Sequence, residues 1–204
     1  EARRQRQMCI RDSFWGVRLT WNFLKGWQGT DHEDWRYVNF RKSTGTWYWA
    51  VSFFGCQLVP TVLVFGACLP LFLQDSQSAA PMNGWDVVAV LVTVGGILLE
   101  GIADHQLWRF RQSESAKATT LRLGLWKYVR HPNYLGEVLF WWGLFLFGVA
   151  ADASAWWVVI GTIGITLLFQ FISIPMIDRR MLARRPDYRD WMAQTPALIP
   201  RFYR

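Results

Sequence analysis

Four long apolar stretches, at residues 47–73, 85–107, 134–151 and 156–176, alternate along the chain with shorter polar segments. Each approaches the roughly 20 residues that a helix needs to cross a ~30 Å hydrocarbon core. The pattern predicts an all-α fold, a polytopic integral membrane bundle of about four complete transmembrane helices. The stretch "FWGVRLTWNFL" at 14–24 reads as the inner end of a further helix whose start is missing, so the chain is expected to be an N-terminally truncated fragment. Residues 7–13, "QMCIRDS", resemble a peptide obtained when sequencing-adapter DNA is translated. Residues 1–13 are therefore expected to be non-native or disordered, and 14–204 to form a single domain.

Lysine and arginine supply an independent test, because they collect on one side of a membrane. All 22 fall in three blocks: nine from Arg3 to Lys42, six from Arg109 to Arg130, and seven from Arg179 to Arg204. The intervening connections, "QDSQSAAPMNG" at 74–84 and "ADASA" at 151–155, contain none. This sorting places the basic loops and the C-terminus in the cytoplasm and both connections on the far side. The formal net charge of +7 then reports topology and attraction to anionic lipid or ligand, with nucleic-acid binding the weaker reading.

Composition agrees with a bilayer. Charged residues make up 18% of the chain, below the roughly 25% usual for soluble domains. The 14 tryptophans suit an interface, where the indole ring is buried and its N–H stays wet. Cys9, Cys56 and Cys68 are an odd set, two of them inside an apolar stretch, and read as small core fillers. His32, His105 and His131 have no neighbours at ligand spacing, so no metal is expected.

Charges inside the apolar stretches carry the chemical information. Counting ~1.5 Å per residue from Trp85, Glu100 lies roughly 22 Å along its helix, still within the hydrocarbon core, where a carboxylate costs at least a few kcal/mol without a partner or a proton. Asp104 and Arg111 follow at i+4 and i+11, within about 40° of Glu100 around the helix. This stripe suits either an ion network that holds helices together or a polar pocket that takes a ligand.

"YVRHPNYLGE" at 128–137 precedes the third span. Pro132 is predicted to open a helix, since proline at the first helical position loses no needed hydrogen bond. Asn133 and Glu137 then share a face, and the helix start, with Arg130 beside it, favours either an anion or a simple cap. Beyond the last span, Asp178 is followed by Arg179, Arg180, Arg184 and Arg185. These form either a salt-bridged positive-inside tail or a grip for phosphate. The segment 30–49 is expected to make an interfacial turn or short helix in which His32, Glu33, Arg36 and Tyr37 tie a loop or line a cofactor mouth.

Together, "ADHQLWRFR" at 103–111, "GLWKYVRHPNYLGE" at 124–137, the "RRPDY...ALIPRFY" tail and "FWGVRLTWNF...HEDWRY" resemble the steroid 5-alpha-reductase C-terminal superfamily, and most nearly its branch long labelled a domain of unknown function. The resemblance implies a membrane reductase that binds NADPH from the cytoplasm and reduces a carbon–carbon double bond conjugated to a ketone in a lipophilic, steroid-like or isoprenoid substrate. By matching positions it implies that Asp104, Arg111, Tyr128, Asn133, Glu137, Asp178, Arg179 and Tyr188 bind or adjoin the cofactor. Catalytic residues are unassigned, with Glu100 a candidate: an acid stands there where steroid reductases carry a neutral amide. Trp15 occupies the region where the ketone-polarising tyrosine of those enzymes is sought. Isoprenylcysteine carboxyl methyltransferases share the Arg-His-Pro-x-Tyr-x-Gly pattern, so a membrane S-adenosylmethionine-dependent methyltransferase is the alternative, followed by a non-catalytic lipid-binding membrane protein.

Overall fold

A computed structural model describes residues 2–27, 29–30, 33–76, 81–114 and 119–200, with side chains described from residue 13 onward and not for 73–76. His32 and the tail at 201–204 lie outside the described residues. Among the described residues there is no strand, and the chain is almost wholly helical. Among the described residues, four helical runs are long and apolar enough to cross a membrane: Trp35–Phe72, Gly84–Arg111, Pro132–Ala151 and Ala153–Arg184. These coincide with the four apolar stretches seen in the sequence, the first stretch running one residue past its run.

The chain opens with α1 (Ala2–Gly26). Helix α2 (Trp35–Thr44) is capped by Asp34, whose carboxylate accepts from the Arg36 amide at 2.9 Å. The short helix predicted for 30–49 is this element, and it leads through Gly45–Trp47 and α3 (Tyr48–Val51) into π-helical turns at Ser52–Leu58 and then α4 (Val59–Ser76). Helix α5 (Gly84–Arg111) begins with a reciprocal cap, Asn83 bonding the Trp85 amide and Asp86 bonding the Asn83 amide. Helix α6 (Pro132–Ala151) starts at Pro132 as predicted, with His131 outside the helical region at φ −133°, ψ 64°. The last span joins α7 (Val159–Leu168), π-helical turns at Phe169–Ser173 and α8 (Ile174–Arg184), after which α9 (Tyr188–Gln194) folds back.

Helices α5 and α6 form the central antiparallel pair, tied at one end by the Asn83 amide donating to the Ala150 carbonyl at 2.8 Å. Small residues let their backbones touch. A Cβ on Gly96 would lie 2.7 Å from the Gly136 carbonyl oxygen, and one on Gly136 would lie 2.7 Å from the Glu100 amide nitrogen. The same device joins α4 to α7, where Gly161 meets the Gly66 backbone, and α4 to α6, where Gly148 meets Pro70. In lipid, apolar side chains gain little by turning inward, so such close contact and interhelical hydrogen bonding hold the helices together. The buried core of Ala67, Phe140, Trp141, Leu144 and Ile165 lies where α4, α6 and α7 converge, with Cys68 packed against it. Outside, Trp47, Trp49, Phe53, Phe65, Leu91 and Ile160 are exposed, the face a bilayer would cover.

At the other end, the 3₁₀ turn Gly124–Lys127 is fastened to α5. The Trp126 indole donates to the Ala103 carbonyl at 3.1 Å, and the Gln106 side chain accepts from the Leu125 amide at 3.0 Å. Gly124 has φ +60°, and a Cβ there would strike the Gln106 side chain at 2.6 Å. This anchorage sets where α6 starts against α5, and so where its polar first turns sit.

Candidate functional site

Two buried polar centres lie near the basic ends of the helices. The first is built around Arg18 of α1. Its Nη2 stands 2.7 Å from Glu100 Oε1 and 3.6 Å from Glu137 Oε2, and its Nη1 donates to Asp104 Oδ2 at 3.1 Å. Asn22, one turn further along α1, donates to the same Asp104 oxygen. Glu137 receives the Trp15 indole N–H at 3.1 Å on one oxygen and the Trp141 indole N–H at 2.9 Å on the other. Trp15 stacks flat on Phe140, centroids 4.8 Å apart, and meets Trp141 edge-on, which closes the apolar side of the centre.

The sequence places these groups without naming their partner. Arg18 and Asn22 are four apart on α1, Glu100 and Asp104 four apart on α5, so each pair lies on one helical face. Asn133 and Glu137 repeat the spacing on α6. The predicted stripe is present for the two acids, and the cation between them comes from α1 rather than from Arg111. Arg111 lies exposed at the end of α5, within electrostatic range of both Asp104 and Arg180. Arg18 and Asn22 were missed as site residues, and Trp15 had been singled out only as standing where a tyrosine is sought; the available signal was a single arginine at helical spacing from an asparagine inside an otherwise apolar segment.

Further polar side chains adjoin this centre. The Asn133 side chain adjoins Asp104, and Tyr134 is within electrostatic range of both Asp104 and Arg36. Arg180 packs its guanidinium 4.0 Å over the Trp35 ring, with Arg111 and Arg184 near it. Several buried atoms here have no hydrogen-bond partner: Asn133 Oδ1, Glu100 Oε2, Arg18 Nε and Arg180 Nη1. Unpartnered buried polar atoms are rare in folded proteins and mark places where a ligand or a proton belongs. On α2 and just before it, Arg36 pairs with Asp34 at 2.9 Å and Arg41 with Glu33 at 2.7 Å, so Glu33 and Arg36 tie this segment locally.

The second centre is built around Asp178 of α8. Arg130 donates to one carboxylate oxygen at 2.8 Å; the His131 Nε2 lies 2.9 Å from the other, which also receives the Tyr188 hydroxyl. Arg130 reaches the Met192 and Thr195 carbonyls with its remaining Nη, at 3.1 and 2.6 Å. The backbone amides of Arg130 and His131 bond Pro196 and Ala197. Burial, then the Asp178 carboxylate, push the Tyr188 phenol far above its ordinary range, so it stays a neutral donor. Nearby, burial raises the Asp187 carboxyl, but the Thr120 amide and hydroxyl and the Arg122 guanidinium outweigh it and hold the group below the usual aspartate range.

The expected cofactor residues therefore divide. Asp104, Asn133 and Glu137 meet at the Arg18 centre, and Arg111 is exposed, within electrostatic range of Asp104. Asp178 and Tyr188 form the other centre, where both carboxylate oxygens are occupied within the protein. Arg179 is exposed on α8, and Tyr128 is 57% exposed with the Lys127 amino group 6.0 Å above its ring. Neither contacts the Arg18 centre in the described interactions.

Comparison with known proteins bears on the family. An uncharacterised protein of fission yeast, Schizosaccharomyces pombe, is 24% identical over 222 residues, which take in 98% of this chain and 64% of that protein. The chain thus spans somewhat under two thirds of the length of this relative. No solved structure matches significantly. The family described as protein of unknown function, DUF1295, matches residues 1–195, and with nearly its whole length inside that match the chain belongs to the DUF1295 family.

Proposed function

We propose that this chain is a membrane-embedded, NADPH-dependent reductase of a carbon–carbon double bond conjugated to a ketone in a lipophilic, steroid-like or isoprenoid substrate. The observation that carries the reading is the buried, unpartnered Asn133 Oδ1 beside Asp104, with Arg111 in electrostatic range of that acid and of Arg180. An amide oxygen without a donor suits the carboxamide N–H of a nicotinamide, and a carboxylate suits ribose hydroxyls. Arg111 and Arg180 suit phosphates, which guanidinium groups grip with paired N–H donors. The residues present therefore fit the dinucleotide, which when bound supplies hydride to the substrate.

The protein's own part is orientation and the exclusion of water. Trp15, Phe140 and Trp141 wall the inner side of the centre with stacked rings, and a lipophilic substrate would arrive among such groups from the bilayer. In this reading the basic helix ends face the cytoplasm, where the soluble cofactor resides, in keeping with the distribution of lysine and arginine.

The test is thermal protection of the purified protein in detergent by NADPH, NADH and S-adenosylmethionine. NADPH is expected to raise the melting temperature. Asn133→Ala and Arg111→Ala are expected to weaken NADPH binding roughly tenfold each, since losing one partner of a buried polar ligand group costs about 1–3 kcal/mol. Protection by S-adenosylmethionine alone would overturn the proposal in favour of methyl transfer. Unchanged NADPH affinity in both variants would return Asn133 and Arg111 to helix-capping and interfacial roles.

A further inference from the structure

Charge counting at the Arg18 centre leads further, building on the reductase reading. Glu100, Asp104 and Glu137 put three carboxyl groups around one guanidinium, inside a span. With every group ionised the centre would hold an excess of two negative charges. Like charges ~4 Å apart repel by about 4 kcal/mol even at an effective dielectric of 20. Asp104 is met by Arg18 and Asn22, with Arg111 in range, and Glu137 receives two indole N–H groups with Arg18 close by. Both donor sets suit carboxylates. Glu100 differs: 6% exposed, it has Arg18 near one oxygen and no donor at the other, and it shares Arg18 Nη2 with Glu137, at 2.7 and 3.6 Å. Two carboxylates drawn to one guanidinium nitrogen repel each other, and a proton on Glu100 removes that repulsion and gives its unpartnered oxygen a hydrogen to donate.

We propose that Glu100 carries that proton and is the acid of the reduction, with Glu137, held by two indole N–H groups, its neighbour at Arg18 Nη2. The β-carbon of the conjugated ketone gains a C–H bond by hydride transfer from the dihydronicotinamide, and the double-bond electrons move onto the ketone oxygen. The Glu100 O–H bond breaks as its proton passes to that oxygen, and the resulting enol becomes the saturated ketone. One hydride and one proton are consumed per turnover. Glu100, now a carboxylate beside Glu137 and Asp104, regains a proton from water. The same repulsion that keeps Glu100 neutral at rest drives this recovery.

The test combines infrared spectroscopy of the full chain in detergent with turnover of 4-cholesten-3-one, a lipophilic conjugated ketone, by NADPH. The wild type is expected to show a protonated-carboxyl band that shifts in deuterium oxide. Glu100→Gln should abolish the band, keep thermal protection by NADPH, and lower turnover by about 10²–10⁴-fold, the usual contribution of a positioned acid. Glu100→Asp, which keeps the carboxyl group, should shift the band and recover part of the rate, and serves if the amide variant does not fold. A wild type without the band, or a band unchanged in both variants, overturns the proposal. Loss of the band with undiminished turnover overturns the catalytic role. Absence of NADPH protection in the wild type overturns the reductase reading and that role together, while the band still reports where the proton sits.

Discussion

The two buried centres are chemically alike and differently completed. Each sets arginine against carboxylate near the basic end of the bundle, and each draws its members from helices far apart in the chain. At Asp178, one carboxylate meets Arg130, His131 and Tyr188, and Arg130 also donates to the Met192 and Thr195 carbonyls, its Nε alone lacking a partner. At Arg18, one cation faces three acids, and buried atoms of Glu100, Asn133 and Arg18 itself lack hydrogen-bond partners. A cluster whose acid has both oxygens engaged within the protein has little left to add, because low dielectric strengthens each bond that the acid makes. An unsatisfied one costs stability, and a protein that keeps it has a use for the open valence. Asp178 and Tyr188 thus clasp the C-terminal segment to the start of α6, and the Arg18 centre is the place for chemistry.

Breaking each centre in turn tests this contrast. The largest effect is expected from Arg18→Met, which leaves three buried acids with no guanidinium among them; removing one partner of a buried ion cluster costs about 3–5 kcal/mol. The variant should lose much of its melting temperature in detergent at neutral pH. A melting temperature equal to the wild type would show that the acids are already neutral and that Arg18 does not hold the helices together.

Asp178→Ala should come next. It strips the carboxylate from Arg130, His131 and Tyr188 and is expected to cost about 3 kcal/mol, while the NADPH affinity of the protein that remains folded stays at the wild-type value. A variant that melts normally but binds NADPH poorly would exchange the roles of the two centres.

The smallest effect concerns Asp187. Its carboxyl is held below the ordinary range when folded, so its pairing with Thr120 and Arg122 adds stability above the unfolded aspartate pKa of ~3.9, and that contribution is lost as pH falls through the folded value. The pair is partly exposed, so solvent screening limits the effect to about 0.5 kcal/mol. Melting curves at neutral and acidic pH should show a slightly larger acid-induced loss in the wild type than in Asp187→Asn. Equal losses would make the contact energetically idle.

Much of the fold is legible along the chain because the energies behind it add up locally. Transfer of apolar side chains into lipid depends on composition within a window of about 20 residues, so the four spans could be read from hydropathy. The start of α6 at Pro132 follows from the local geometry of a His-Pro step, and the shared faces of Glu100 with Asp104 and of Asn133 with Glu137 follow from helical periodicity. The partner of those acids was not legible. Arg18 is 82 residues from Glu100 in sequence, and reaches it because α1 lies against α5 at a register set by aromatic stacking on Phe140 and Trp141. Arg111, nearer in sequence and on the same helix as the acids, was the natural candidate and lies instead exposed at the end of α5.

By itself, then, the sequence determined a helical membrane protein, the four spans, the one-sided distribution of basic charge, and which acids and amides lie on polar helix faces. All of these follow from periodicity and from the cost of placing charge in hydrocarbon. Only the tertiary structure decided which charges meet. It satisfied Asp178 with Arg130, His131 and Tyr188, and it left Glu100, Asp104 and Glu137 to share Arg18. That choice depends on how closely the helices approach, and the glycine contacts of α5 with α6 bring Glu100 and Glu137 to one guanidinium, which no reading of either helix alone could supply.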